Sequence, residues 1–174
     1  SALAQCQKGT KLRVIGPLGN GWPTIDGDGA PWVMLAGGIG SAPFYMGIQQ
    51  ALAGMDGRRA ARPDQLVYLY GAARKGLLYD LEAFQKLGVR VETCTDDGSA
   101  GAKGNVLQLL ESLWKKGSLP RDVRLLACGP ERMLEAVENL ARERNLPCWL
   151  SLETLMGCGV GICKPSVGQQ ILVH

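Results

Sequence analysis

The sequence predicts an α/β fold, a doubly wound parallel sheet of five strands. Three observations lead there. Short apolar runs recur along the chain, each followed by a stretch of helical periodicity. The first long run, Trp32-Val33-Met34-Leu35-Ala36, has no polar residue, as a strand buried on both faces requires. That run passes straight into a glycine-rich turn that opens a helix.

The elements follow in order. Lys11-Leu12-Arg13-Val14-Ile15 reads as a short strand. After it come two turn-rich stretches, Gly16-Pro17-Leu18-Gly19-Asn20-Gly21 and Asp26-Gly27-Asp28-Gly29, with the composition of an arm or linker. Trp32–Ala36 is the first strand of the sheet and Gln65–Tyr70 the second. Val89–Thr93 alternates apolar and polar residues, which places the third strand at an edge. Val123–Ala127 and Cys148–Leu152 are the fourth and fifth. Helices are predicted over Phe44–Leu52, Leu77–Leu87, Val106–Trp114 and the segment with Met133, Leu134, Val137, Leu140 and Ala141 on one face. Glu135, Glu138, Arg142 and Glu143 occupy that last helix's other face. Alternating strands and helices imply right-handed crossovers. Residues 1–30 are assigned to the arm, 31–153 to the α/β domain and 154–174 to a tail whose last part, Lys164 to His174, carries no assignment.

A length of 174 residues suits one domain with a short appendage. Hydrophobic residues at 46% and charged residues at 20% are ordinary for a packed core and exclude a disordered chain. The net charge of +3 is carried by scattered cations, such as Arg58-Arg59 and Lys115-Lys116, so there is no electrostatic footprint for nucleic acid. No apolar run reaches the length of a membrane span and none reads as a signal peptide. Three of the six cysteines, Cys94, Cys128 and Cys148, lie in or at the ends of strands rather than in a disulfide framework. A reducing, cytoplasmic setting is expected.

Chemistry concentrates at the strand ends. Gly37-Gly38-Ile39-Gly40-Ser41-Ala42-Pro43 links the first strand to a helix. Glycines there let backbone approach a pyrophosphate, and the helix N-terminus offers unpaired N–H groups and a positive dipole end. Pro43 suits the first helical turn. The pattern is neither G-x-G-x-x-G nor a Walker A loop, and a tight turn in any α/β domain is the alternative. The fourth strand ends in Cys128-Gly129-Pro130 and also enters a helix. In a doubly wound sheet the first and fourth strands are neighbours where strand order reverses, and ligands bind beyond their carboxyl ends. Both loops therefore flank one crevice. Cys128 is either a small buried apolar residue or a neighbour of the reactive ring of a dinucleotide. The second strand ends Tyr70-Gly71-Ala72-Ala73-Arg74-Lys75, without the acid that usually binds the ribose 2′-hydroxyl. Arg74 is either a 2′-phosphate ligand or a solvated loop residue, and NADH and NADPH both stay open. Thr95-Asp96-Asp97-Gly98-Ser99-Ala100-Gly101 is either a loop closed by Asx turns or the far wall of the crevice.

Near the end, Gly157-Cys158-Gly159-Val160-Gly161-Ile162-Cys163 has the C-x4-C spacing that opens a plant-type [2Fe-2S] pattern. The third ligand position holds Ser166, and no cysteine follows it. Cys158 and Cys163 are thus half of a ligand set. A zinc site from Cys158, Cys163 and His174 is the weaker alternative, because its spacing is poor.

Taken in order, the Gly16–Gly21, Gly37–Pro43, Thr95–Ser99 and Cys128-Gly129-Pro130-Glu131-Arg132-Met133 segments, Ser151-Leu152-Glu153 and the Cys158/Cys163 pair resemble one family. It is that of the electron transfer subunits of class B dihydroorotate dehydrogenase, within the ferredoxin reductase-like superfamily. Small subunits of NADH-dependent ferredoxin:NADP oxidoreductase and sulfide dehydrogenase share these motifs. The resemblance covers residues 11 to 163. It implies a flavin-binding β-barrel, then an NAD-binding domain, then a [2Fe-2S] segment, with electrons passing from NAD(P)H through FAD and the cluster to a catalytic flavoprotein subunit of pyrimidine biosynthesis. It implies that residues 37–43 and the Cys128 loop, with Gly129, Pro130 and Met133, hold the nicotinamide cofactor; Arg74, Asp96, Asp97 and Gly98 stay candidates for that site from the residue reading above. Gly16, Leu18 and Gly19 would lie near the flavin. Glu153 would approach the flavin and cluster, with a plain strand-end role as the alternative. Against the family pattern, nearly all of the barrel and the last cluster ligands are missing. Residues 1–30 are therefore expected to be a remnant of the flavin-binding domain, with Leu12–Ile15 as its last strand, plus linker, and residues 154–174 an incomplete iron–sulfur segment and tail. The expectation is a piece of a longer protein, inactive alone and without FAD or an intact cluster. A nucleotide-binding module without redox chemistry is the competing reading.

Overall fold

The computed structural model describes residues 5–14, 21–54, 57–152 and 170–173. Its sheet runs β1 (Trp32–Gly37), β2 (Leu66–Ala72), β3 (Arg90–Thr95), β4 (Ala102–Lys103), β5 (Arg124–Cys128), β6 (Cys148–Ser151) and β7 (Gln170–Val173) along the chain. In space the order is β4-β3-β2-β1-β5-β6-β7. Every pairing is parallel except β6 with β7. The five expected strands are all present, and β1 and β5 are neighbours at the reversal of strand order. Two short edge strands extend them. β4 has two residues, too few to show any periodicity, and it covers only the Cys94–Thr95 end of β3. β7 lies in the tail that the sequence pattern left unassigned.

Four α-helices connect the strands: α1 (Ala42–Ala53), α2 (Leu81–Lys86), α3 (Val106–Lys115) and α4 (Glu131–Arg144). The expected second helix is split. Lys75–Leu77 forms a short 3-10 turn and α2 begins only at Leu81, after Asp80 at φ +55°. Asparagine and aspartate visit this left-handed region more readily than other side chains do. β1 is flanked by strands on both sides and is buried throughout.

Alternation along each central strand sorts the core into two faces. Val33, Leu35, Val67, Leu69, Leu125 and Ala127 meet α3 and α4 in an aliphatic layer whose one buried aromatic is Trp114. Trp32, Met34, Tyr68, Tyr70 and Leu126 point the other way, against Phe44 of α1 and Phe84 of α2. The aromatics gather there. Tyr68 stacks on Phe84 at 4.3 Å between ring centres, and Trp22 stacks on Phe44 at 5.0 Å. Cys94 and Cys148 are buried in the first layer. Burial, aided by Asp96, pushes the Cys94 thiol up to about 11. Burial, aided by Glu138, pushes Cys148 up to about 12. Both are protonated packing groups rather than nucleophiles.

The segment before β1 corrects the sequence reading in two ways. Residues 11–14 form no strand, and Leu12 and Val14 are exposed, at 56% and 86%. A strand exists only through a partner ladder, and none of the described strands pairs with this segment. Residues 22–27, by contrast, are fastened to the domain rather than loose. Ile25 is buried, and Trp22 packs beside α1. The Asp26 carboxylate accepts hydrogen bonds from Arg124 at 2.9 Å and Arg58 at 3.2 Å, while its backbone carbonyl accepts from the Trp32 indole.

α3 begins on a capping box. The Asn105 side chain accepts from the N–H groups of Leu107 and Gln108, and the Gln108 side chain accepts from the Asn105 N–H. Asn105→Ala is expected to cost about 1 kcal/mol. For a chain of this size that lowers Tm by roughly 2–4 °C, which differential scanning calorimetry can read.

Candidate functional site

The carboxyl ends of β1, β2, β3 and β5 and the N-termini of α1, α3 and α4 converge on one edge of the sheet. Ala36 pairs with Cys128, so the turns that leave β1 and β5 start side by side. They also fill each other's space. A Cβ on Gly37 would lie 2.6 Å from the Met133 sulfur and 2.8 Å from Pro130 Cδ, and one on Gly129 would lie 3.0 Å from Gly37 Cα. A Cβ on Gly40 would overlap the Cys128 carbonyl. Three glycines are thus demanded by the junction of the two loops. Gly38 is different. Its φ is +55°, and the space a side chain would occupy is open.

Beside this junction lies a cleft of about 390 Å³. Gly37 and Gly38 form one wall, with Pro130 and Met133 from the start of α4. Gly71, Ala72, Ala73 and Leu77 follow from the end of β2, and Asn105 and Val106 from the start of α3. Asp96, just past β3, is the one charged residue of the lining.

The three helix N-termini are not equivalent. Asn105 already serves the first N–H groups of α3. α4 starts after Pro130 with no side-chain cap, but carries Glu131 in its first turn. α1 is preceded by a 3-10 turn over Gly38–Ser41. Neither Gly37 nor Ser41 supplies a side-chain cap, and no acid lies in either first turn. The 3-10 turn already takes the Ala42 N–H, which donates to the Ile39 carbonyl, and Pro43 has none, so the end that can face an anion is the start of that turn at Gly38, where no acid opposes the dipole.

The expected site residues divide accordingly. Gly37, Gly38, Asp96, Pro130 and Met133 line the cleft, while Gly40 and Gly129 hold the loop junction. Cys128 is buried at the end of β5, with its carbonyl against Gly40. Ile39, Ser41 and Ala42 line a second cleft, of about 590 Å³, on the α1–α2 side, and Pro43 is exposed in the first turn of α1. Asp97 and Gly98 lie outside both linings. The Asp97 carboxylate accepts from the Ser99 hydroxyl at 2.6 Å and N–H at 2.9 Å, and these bonds hold it below the usual carboxylate range. Arg74 is exposed, lines neither cleft and makes no ion pair among the described residues. Gly16, Leu18, Gly19, Glu153, Cys158 and Cys163 lie outside the described residues. The sequence reading missed Leu77, Asn105 and Val106 as lining residues. Asn105 had a signal, since Asn-x-x-Gln before an apolar run marks a capped helix start.

Comparison with known proteins bears directly on this edge. A model of the oxidoreductase NAD-binding domain family matches residues 34–139. The chain belongs to this family. The resemblance read from the motifs holds as well. A relative in Bacillus caldolyticus, dihydroorotate dehydrogenase B (NAD(+)), electron transfer subunit, is 39% identical over 162 residues, 92% of this chain and 57% of the relative. One in Methanocaldococcus jannaschii, described as probable for the same subunit, is 32% identical over 159 residues, 91% of this chain and 56% of the relative. The chain therefore spans a little over half the length of the curated relatives it matches. Among solved structures, NADH-dependent reduced ferredoxin-NADP oxidoreductase superposes with a TM-score of 0.71 at 28% identity, over 93% of this chain and 54% of that one. The cytochrome b5 reductase domain of Ulva prolifera nitrate reductase shares the fold, with a TM-score of 0.58 at 20% identity over 77% of this chain and 54% of that one. No described helix is long and apolar enough to cross a membrane.

Proposed function

We propose that the cleft binds NADH and that the chain is the NAD-binding part of an electron transfer subunit serving a dihydroorotate dehydrogenase-like catalytic partner. The observation that carries this reading is the fused pair of glycine loops beside a cleft with a single carboxylate.

The residues have distinct tasks. The start of the 3-10 turn at Gly38, on the wall of the cleft, attracts the diphosphate, and Gly38 leaves its backbone bare on the approach. Asp96 decides between the two nicotinamide cofactors. Asp97 is already engaged by Ser99, whereas Asp96 lines the cleft and its carboxylate has no hydrogen bond among the described residues. A carboxylate there can accept from ribose hydroxyls and repels a 2′-phosphate. Arg74, the cation that would welcome such a phosphate, stands outside the lining. The Cys128 carbonyl packs against Gly40 and so holds the two loops together beside the cleft. The bound dinucleotide supplies the hydride.

Isothermal titration of the chain tests this reading. NADH is expected to bind at least tenfold more tightly than NADPH. Asp96→Ala is expected to weaken NADH by about tenfold, as the loss of one charge-assisted hydrogen bond predicts, and to narrow the gap between the two cofactors. No measurable affinity for NADH would overturn the proposal.

FAD, the [2Fe-2S] cluster and the catalytic flavoprotein partner belong to the whole protein on this reading, with Gly16, Leu18, Gly19, Glu153, Cys158 and Cys163 as the residues assigned to them. Dihydroorotate-dependent reduction of NAD+ by the full-length protein with its partner is the matching assay. The superposition on NADH-dependent reduced ferredoxin-NADP oxidoreductase favours a second reading, a small subunit of that kind. Activity with ferredoxin instead of dihydroorotate would select it.

A further inference from the structure

The turn that leaves β2 is held by a side chain from another loop. Pairing of β2 with β3 runs on past the strand ends, where the Asp96 N–H donates to the Ala72 carbonyl at 3.1 Å and the Asp97 N–H to the Ala73 carbonyl at 3.3 Å. Beyond them the Lys75 N–H donates to the Ser99 hydroxyl oxygen at 2.8 Å. Ser99 passes its own proton on, donating to Asp97 Oδ1 at 2.6 Å, and the same oxygen accepts the Ser99 N–H at 2.9 Å. The direction of this relay is fixed. A backbone N–H can only donate, and the bonds from Ser99 hold the Asp97 carboxyl below its ordinary range, as an acceptor.

The two partners differ in how they are supported. The loop that carries Ser99 closes on the buried Thr95, whose hydroxyl donates to the Ala100 carbonyl at 2.9 Å and accepts from the Ala100 N–H at 3.0 Å. The turn that Ser99 holds, Arg74-Lys75-Gly76, is exposed, and none of its residues belongs to either core layer. Its neighbours form the site. Ala73 just before it and Leu77 just after the glycine line the cleft together with Asp96. Arg74 thus follows directly on a lining residue, yet stands outside the lining.

We propose that Ser99 is a positioning residue that sets cofactor specificity through Arg74. By taking the Lys75 N–H it ties the turn to the loop between β3 and β4, which leaves Asp96 as the one charged group that the cofactor meets. Without that hydroxyl the turn is released, and Arg74 reaches the cleft, where its guanidinium pairs with a 2′-phosphate. No bond is made or broken beyond hydrogen bonds. The inference rests on the reading of this cleft as a dinucleotide site in which Asp96 favours NADH.

The test is calorimetric titration with NADH and NADPH of the wild type, Ser99→Ala, Ser99→Thr, and Arg74→Ala with and without Ser99→Ala. Ser99→Ala is expected to narrow the preference for NADH from tenfold or more to about threefold or less, chiefly by tightening NADPH, as one new charge-assisted pair predicts. Its Tm is expected to stay within about 2 °C of the wild type, because an exposed serine carries little of the fold. Ser99→Thr keeps the hydroxyl and is expected to keep the preference. In the Arg74→Ala background, Ser99→Ala is expected to leave the preference where it was, as groups that act through one another require. An unchanged preference in Ser99→Ala overturns the inference and leaves the site reading intact. So does a narrowing that persists without Arg74 or that Ser99→Thr shares. Absence of NADH binding by the wild type, or equal affinity for the two cofactors, overturns the reading of the cleft and this inference with it.

Discussion

Gly40→Ala is expected to destabilise the protein by about 3 kcal/mol and to abolish measurable NADH binding. The added methyl would meet the carbonyl oxygen and carbon of Cys128 and the nitrogen of Gly129, all main-chain atoms. Overpacking against a flexible side chain is relieved by rotation. Here the obstacle is the end of β5, held in the sheet by its parallel pairing with β1 and β6. The two loops must separate, and the cost sits at the upper end of the usual overpacking range. In a protein of this size that corresponds to a Tm lower by roughly 6–12 °C. Gly38→Ala is the control. It strains a positive φ but meets no neighbouring atom, so its stability loss is expected to be smaller, about 1 kcal/mol. Calorimetric melting of the two variants separates steric junction from backbone conformation. Equal losses would refute the account given for Gly40.

Arg124→Met is expected to lower stability by about 2–3 kcal/mol, with a Tm lower by roughly 4–12 °C. The guanidinium bonds the Asp26 carboxylate at 2.9 Å and the Ala30 carbonyl at 2.8 Å, and it lies 4.0 Å above the Trp32 ring. Its loss leaves Asp26, whose side chain is only 12% exposed, to the half-exposed Arg58. The pair is not fully dry, so the expected loss falls below that for an ion pair deep in a core. The acid response carries a second check. Burial raises the Asp26 carboxyl, but the Arg124 hydrogen bond and charge, then Asp28 and Arg58, outweigh it and bring it below 3.8. The folded state therefore binds this proton less readily than the unfolded chain. The stabilisation is complete above about pH 3.8 and is lost as pH falls through the lower folded value. The stability gap between wild type and Asp26→Asn should be constant near neutrality and close in strong acid. A gap that widened on acidification would contradict the assignment.

How far the sequence carried the structure depended on local information. The apolar runs at residues 32–36 and 123–127 had to be strands, and glycines beside both had to meet at the reversal of strand order. What remained hidden were relations between distant residues. The glycines at 37 and 40 were read as room for a pyrophosphate, and Gly129 as part of a second loop flanking the same crevice. In the structure their lack of side chains serves first to let two turns interlock, a constraint visible only once β1 and β5 are neighbours. The carboxylate of the cleft comes from the end of β3 rather than β2, because β3 delivers its loop against the same edge. Residues 11–14 alternate like a strand, but alternation cannot supply a partner.

The uneven distribution of rings between the two sides of the sheet has an optical consequence. Trp22, Trp32, Trp149 and three tyrosines belong to the α1–α2 side, while Trp114 alone represents the α3–α4 side. Intrinsic emission and near-ultraviolet ellipticity will therefore watch one half of the molecule. If that half loosens before the other on heating, spectroscopic and calorimetric midpoints will disagree, and their separation will measure how tightly the two halves melt as one.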